Sequence, residues 1–191
     1  LLPRTRSRCV AFGATQSAHL CGRYDNWYFL VQNVGAASPM NIEGIFDRDT
    51  FTMTYVAFDR ATKDAVVIDS VLDYEPFGSR ISFGSADKVL AFVKNNGLKV
   101  GMILETHAHA DHLSAAPYLQ ERLGKPPVGI GAKITLIQST FKNVFGLPNS
   151  FRSDGSQFER LLNDGDEVAV GTVRCKVIAT PGHTPACSSY L

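Results

Sequence analysis

The sequence predicts an α/β fold in which two sheets are sandwiched between helices. Three observations predict it. Short apolar runs rich in Val, Ile, Phe and Thr recur along the chain, bounded by Gly, Pro, Asn and Asp. Segments with apolar residues at helical spacing fall between several of these runs. The main polar clusters come directly after strand-like runs, where open α/β sheets place their ligand sites.

The chain has 191 residues, 45% hydrophobic and 10% aromatic, enough for one domain with a real core. The formal net charge is only +1, so there is no electrostatic case for a nucleic-acid partner. No apolar run approaches the roughly 20 residues that a membrane-spanning helix needs, so no membrane segment is expected. The four cysteines, Cys9, Cys21, Cys175 and Cys187, form no CxxC pair. Cys175 lies in a strand-like run and is expected to be buried and inert. Cys187 has no marked activating base beside it and is expected to be packed, not nucleophilic.

Charge is spread unevenly. Arg4, Arg6, Arg8 and Arg23 give the first 24 residues +4, against −3 for the remainder. Such an acid-free, Arg-bearing opening predicts either an organelle transit peptide or a linker or disordered extension. An organelle such as the mitochondrion and the cytoplasm are therefore both open as locations. Residues 1–38 are assigned to this leader or linker, and 39–191 to the folded part. Trp27 to Val31 reads as one strand or as an apolar patch.

From Met40 the pattern sharpens. Ile45–Asp47 and Thr52–Phe58 read as strands, and Ala65–Asp69 as a buried strand forming a hairpin with the second of them. Asp73–Phe83, with Pro76 and Gly78, reads as a loop. Ser85 is expected to cap a helix whose apolar face is Ala86, Val89, Leu90 and Val93, stopped by Asn96-Gly97. Val100–Leu104 is a buried strand. Leu113, Ala116, Leu119 and Leu123 mark the next helix, with Pro117 tolerable only in its first turn. Pro127–Gly131 is a short strand, and Ile134, Ile137 and Phe141 suggest a third helix. Phe145–Gly155 is a loop. Leu162–Asp166 turns into a strand at Val168–Val170, and Gly171-Thr172 turns again into Val173–Ala179.

Chemistry concentrates in two places. Of five histidines in the chain, three fall in Thr106-His107-Ala108-His109-Ala110-Asp111-His112, just after the Val100–Leu104 strand. Imidazole and carboxylate bind first-row metals without thiolates. Alternate residues of an extended segment point the same way, so His107 and His109 can converge on one ion. Asp111 and His112 turn toward a neighbouring position. The second place is Thr180-Pro181-Gly182-His183-Thr184-Pro185, a rigid turn after another strand, with His183 at its tip. A metal site draws ligands from separate elements, and His183 is the candidate that closes this one.

His107-Ala108-His109-Ala110-Asp111-His112 with Pro181-Gly182-His183-Thr184-Pro185 resembles the metallo-β-lactamase superfamily, from about Phe51 to Leu191. Within it, Glu105 to His112 and Pro181 to Cys187 most resemble persulfide dioxygenases and related bacterial β-lactamase-like hydrolases, with glyoxalase II next. The resemblance implies an αββα sandwich. The chain is expected to hold its N-terminal part, with the second half missing. That half carries an aspartate ligand in the family and, in two-metal members, a further histidine. Sheets left with unpaired edges are expected to make residues 1–191 alone bind metal weakly and aggregate.

The resemblance also implies roles. Asp69, at a strand end, matches the superfamily's supporting acid, which orients the site from behind the ligands. In a persulfide dioxygenase, one Fe(II) and O2 oxidise glutathione persulfide to sulfite. His107 and His183 would be the imidazole ligands, with His109, Asp111 and His112 outside them or orienting them. In a glyoxalase II-like thioester hydrolase, His107, His109 and His183 would hold one Zn, and Asp111 and His112 a second. Asp111 is given a catalytic part. Both schemes imply a small glutathione-linked substrate and leave a homo-oligomer open. A third reading is a non-catalytic fragment that keeps the fold as a binding surface.

Overall fold

A computed structural model describes residues 40–109 and 112–191. The leader or linker at 1–38, the stretch Trp27–Val31 and Asp111 lie outside the described residues.

The main sheet starts with an antiparallel meander, β1 (Met40–Phe46), β2 (Met53–Asp59) and β3 (Asp64–Ile68). It continues with three parallel strands beside β3, namely β6 (Lys99–Glu105), β8 (Val128–Gly131) and β9 (Arg160–Leu162). The order is β1-β2-β3-β6-β8-β9. Between β3 and β6 the chain makes β4 (Val71–Glu75), β5 (Arg80–Ser82) and helix α1 (Gly84–Asn95). After β6 come β7 (Leu113–Ser114) and α2 (Ala116–Arg122); α3 (Ile134–Val144) follows β8. The second sheet is antiparallel, with β10 (Glu167–Val170), β11 (Val173–Ala179) and β12 (Ser188–Tyr190).

The central strands are apolar at consecutive positions because both their faces are buried. Val56, Ala65, Val67 and Ile103 pack with Val89 and Val93 of α1 and Leu119 of α2. Their neighbours Ala57, Val66, Ile68 and Leu104 point the other way, onto Val168, Val170, Val177 and Tyr190 of the second sheet. Alternation along each strand thus builds two cores, one under the helices and one between the sheets.

Several expectations are corrected. Residues 73–83 are not a loop: β4 and β5 form a hairpin. Its turn is held by the Glu75 carboxylate, which accepts from the amides of Phe77 (2.7 Å) and Gly78 (2.8 Å). Ser85 does not cap α1; its hydroxyl donates to Asp47 Oδ1 at 3.0 Å. Asp73 of β4 does the capping work, accepting the Ser85 amide at 3.0 Å. Leu113 belongs to β7, paired with β4, and α2 starts at Ala116 with Pro117 in its first turn. Leu162 ends a short strand, β9, instead of opening a turn.

The third helix buries Ile134 as the spacing predicts, but its inner face turns to Gln138 and not to Phe141. Ile134 and Gln138 are its buried residues, while Leu136, Phe141 and Val144 are exposed. A polar residue can take the inner face because its amide is satisfied there. Gln138 Oε1 accepts the Gly155 amide at 2.9 Å, and its Nε2 donates to Gln157 at 2.9 Å.

Candidate metal centre

Parallel pairing sets Ile68 beside Leu104, so the chain leaves β3 and β6 at the same end of the sheet. Asp69 follows β3 directly, with φ +51, a left-handed conformation that Asp tolerates better than most residues. Its backbone is tied on both sides: its amide donates to Leu104 O (3.0 Å), and its carbonyl accepts from Thr54 Oγ1 (2.9 Å). The carboxylate therefore projects over the start of the 106–112 loop.

There it accepts three hydrogen bonds. Oδ1 takes the Thr106 amide (2.7 Å) and faces His109 Nε2 (3.0 Å), and Oδ2 takes the Thr106 hydroxyl (2.8 Å). Burial alone would raise the Asp69 pKa, but the bonds from His109 and Thr106 hold it below the ordinary carboxylate value. Asp69 is thus ionised and can only accept.

That fixes the neighbouring imidazole. Thr106 Oγ1 lies 3.0 Å from His107 Nδ1. The single hydroxyl proton is spent on Asp69, so Nδ1 must be the donor of this pair. His107 is then the Nδ1–H tautomer, with its lone pair on Nε2. The same logic applies at His112, whose Nδ1 lies 3.1 Å from the Leu113 carbonyl, an acceptor only. His109 is the mirror case. Its Nε2 faces Asp69 and also Glu105 Oε2 at 3.3 Å, so Nε2 carries a proton, and Nδ1 is the nitrogen that an ion would take in exchange for its proton. Burial would lower the His109 pKa, but the two carboxylates outweigh it and raise it to about 10. Ligand atoms of Asp69, Glu105 and His109 lie within 4.8 Å of one another. An ion could bridge that spacing, and the shared imidazole proton bridges it equally well.

The rings gather. His107 and His109 have centroids 4.1 Å apart, and His109 and His112 4.2 Å. His183 arrives from the other sheet and meets His107 edge-on at 5.0 Å. Its turn is stitched internally: the Thr180 amide donates to Cys187 O (2.9 Å), and the Thr184 amide to Cys187 Sγ (3.2 Å). Cys187 is buried and packed inside this turn. Cys175 is buried in β11, and burial pushes its thiol pKa up. The two turns are joined directly, since the Ser188 amide donates to Thr106 O at 2.9 Å. Gly131 permits the approach: a Cβ there would sit 3.1 Å from the Ala186 carbonyl and closer still to Ser188 Oγ.

The structure thus brings together Asp69, His107, His109, His112 and His183, while Asp111 falls outside the described residues. Sequence reasoning gave no role to Thr106, Glu105 or Tyr190. Glu105 is only 3% exposed, accepts from Ser114 Oγ at 2.5 Å, and offers its backbone carbonyl to the Tyr190 hydroxyl at 2.9 Å. Burial is the chief influence on its acid, which ends up above its ordinary pKa despite the bonds from His109 and Ser114. The available signal was an acid closing an otherwise apolar strand. Beside the histidines is a cavity of about 300 Å³, with Leu113, Pro117 and Phe158 on its apolar side and Gln120 and Glu159 on its polar side.

A sandwich of sheets with histidines from two strand-end turns defines a metal-dependent class of protein. The chain belongs to the metallo-beta-lactamase superfamily, whose family model matches residues 49–191. It is 47% identical over 152 residues to a protein of Burkholderia pseudomallei named probable metallo-hydrolase, covering 80% of this chain and 51% of that one. It is 42% identical to glyoxylase B2 of Dictyostelium discoideum, covering 81% and 53%. Human persulfide dioxygenase ETHE1, mitochondrial, is more distant, at 27% identity with 85% and 52% covered. Among solved structures, ETHE1 from Myxococcus xanthus matches with a TM-score of 0.58 and 29% identity, over 79% of this chain and 53% of that one. The chain therefore spans about half the length of the curated relatives it matches. Superfamily members bind metal ions, and the named relatives are enzymes. The relatives at 47% and 42% identity carry the names probable metallo-hydrolase and glyoxylase B2, and the persulfide dioxygenases match at lower identity. Among the described residues, no helix is long and apolar enough to cross a membrane.

Proposed function

We propose that these residues are the metal-holding part of an enzyme that oxidises glutathione persulfide with O2 at a single Fe(II). The observation that carries the metal reading is the set of pinned imidazoles, with Nδ1–H tautomers at His107 and His112 and the His109 ring held through Nε2 by Asp69. Nitrogen donors with fixed orientation are what a first-row ion needs. The branch is supported by the likeness to the Myxococcus ETHE1 structure. His107 and His183 are the imidazoles that would hold the iron. When bound, iron would supply the redox chemistry that couples O2 to the persulfide sulfur. The chain's own residues do the positioning: Thr106 fixes the His107 ring, Asp69 and Glu105 fix His109, and the apolar side of the cavity excludes water from the sulfur. Overall, O2 takes four electrons from the terminal sulfur, and water supplies the third oxygen of sulfite.

A second reading, a two-Zn thioester hydrolase, is favoured by two observations. Relatives at 42% and 47% identity are named glyoxylase B2 and probable metallo-hydrolase. His112 also stands 4.2 Å from His109, poised for a second ion that Asp111 would share. Residues 39–191 are read as belonging to the metallo-beta-lactamase-like domain, and 1–38 as a leader, linker or disordered segment.

Metal analysis of the full-length protein, with oxygen uptake on glutathione persulfide, tests the proposal. About one iron per chain with substrate-dependent uptake is the expected result. Two zincs with thioester cleavage and no uptake would replace it with the hydrolase reading.

A further inference from the structure

We infer that Glu105 is a positioning residue of this centre, gripping the His109 ring together with Asp69 and tying both histidine-bearing turns to one frame. The inference rests on the reading of these turns as a metal centre, in which His109 orients the site beside iron or is itself a ligand in the two-Zn reading.

A buried acid at the end of an apolar strand is costly unless its oxygens are partnered. At Glu105 the partners are all parts of the centre. Oε2 stands 3.3 Å from His109 Nε2, the atom that Asp69 Oδ1 meets at 3.0 Å. One acceptor fixes where an imidazole N–H points but leaves the ring free to pivot about that bond. A second carboxylate at ion-pair distance from the same nitrogen opposes the pivot electrostatically and so helps fix where Nδ1 faces. Asp69 cannot do both, because its oxygens also take the Thr106 amide and hydroxyl.

Glu105 Oε1 accepts from Ser114, two residues past His112, and Ser114 Oγ in turn takes the Ala116 amide at 3.0 Å. The far end of the histidine loop is thus anchored to the same carboxylate. The Glu105 carbonyl accepts from Tyr190 of β12, the strand that follows the His183 turn. One residue therefore touches His109 itself and the flanks of His112 and His183.

The test is E105Q in the full-length protein, read by zinc affinity in competition with a chromophoric chelator and by the visible spectrum of the cobalt(II)-substituted form. The amide has nearly the same shape but lacks the charge that faces His109 Nε2. Expected are a loss of zinc affinity of about 10- to 100-fold, as for other groups that orient ligands, and a shifted cobalt band. D69N and E105Q act on the same N–H, so the double variant should lose less than the product of the two single losses. E105D, whose carboxylate is too short to span to His109, should show the same cobalt shift and decides the matter should E105Q fail to fold. Wild-type affinity with a wild-type cobalt band in these variants overturns the inference alone. A wild-type protein that binds neither zinc nor cobalt overturns the ligand reading with it.

Discussion

Asp59 holds Thr172 across the two sheets: its Oδ2 accepts both the Thr172 amide at 2.8 Å and the Thr172 hydroxyl at 2.6 Å. Oδ1 takes the Ala61 amide at 2.7 Å, so one carboxylate at the end of β2 organises its own turn and the β10–β11 turn. The hydrogen bonds from Thr172 are the main reason its pKa falls from 3.8 to about 2. A depressed carboxylate contributes stability that is fully present above its unfolded value and lost as pH falls through its folded value. Unfolding by urea should therefore show a loss between about pH 4 and pH 2, and D59N should lack that part of the profile. A D59N profile parallel to wild type would refute the clamp.

Gly171 is the glycine this clamp requires. It has φ +61, and an added Cβ would run into Thr62 Oγ1 and lie 2.7 Å from Asp59 Oδ2. G171A should cost about 1–3 kcal/mol in chemical denaturation from backbone strain alone, before the contact is counted. An unchanged midpoint would show that the turn is looser than described.

The Thr106 hydroxyl decides the His107 tautomer, so its removal should be felt in metal binding more than in folding. T106V is expected to lower metal affinity about tenfold, and T106S to restore most of it. Equal affinity in the two variants would separate the hydroxyl from the tautomer.

H107A and H183A should each abolish metal retention after desalting, whereas C187A should retain it. Cys187 is buried against Thr184 and points into its own turn. Equal metal content in all three variants would remove the assignment of the centre.

The polar residue on the inner face of α3 gives a stability contrast. Q138A removes the acceptor of the buried Gly155 amide and should cost about 1–3 kcal/mol. V144S, at a position 69% exposed, should stay within about 0.5 kcal/mol. Melting curves that rank them the other way would show that Gln138 is not held on the inner face.

Much of this architecture was legible because its signals are local. β3, β6 and β11 announce themselves as apolar, β-branched runs, and the histidine motifs follow the ends of two of them. What was missed depends on partners distant in sequence. Glu75 makes a hairpin out of a stretch that reads as loop by rescuing turn amides. Asp73 caps α1 from twelve residues away, which no N-cap pattern contains. Gln138 can be buried only because Gly155 and Gln157 meet it, so hydrophobic periodicity found Ile134 but put Phe141 where Gln138 belongs. Glu105 sat in plain view inside the motif, but its meaning came from Asp69, Ser114 and Tyr190.

The Ser188 amide bound to Thr106 O has a consequence for how the centre comes apart. Peeling three residues of β12 off β11 would break that bond and the Tyr190 link to Glu105 in one event. Solvent exchange at this single backbone proton therefore reports the breathing of both histidine turns together. Ligation that knits them should slow it, while protons elsewhere in the meander keep their own pace.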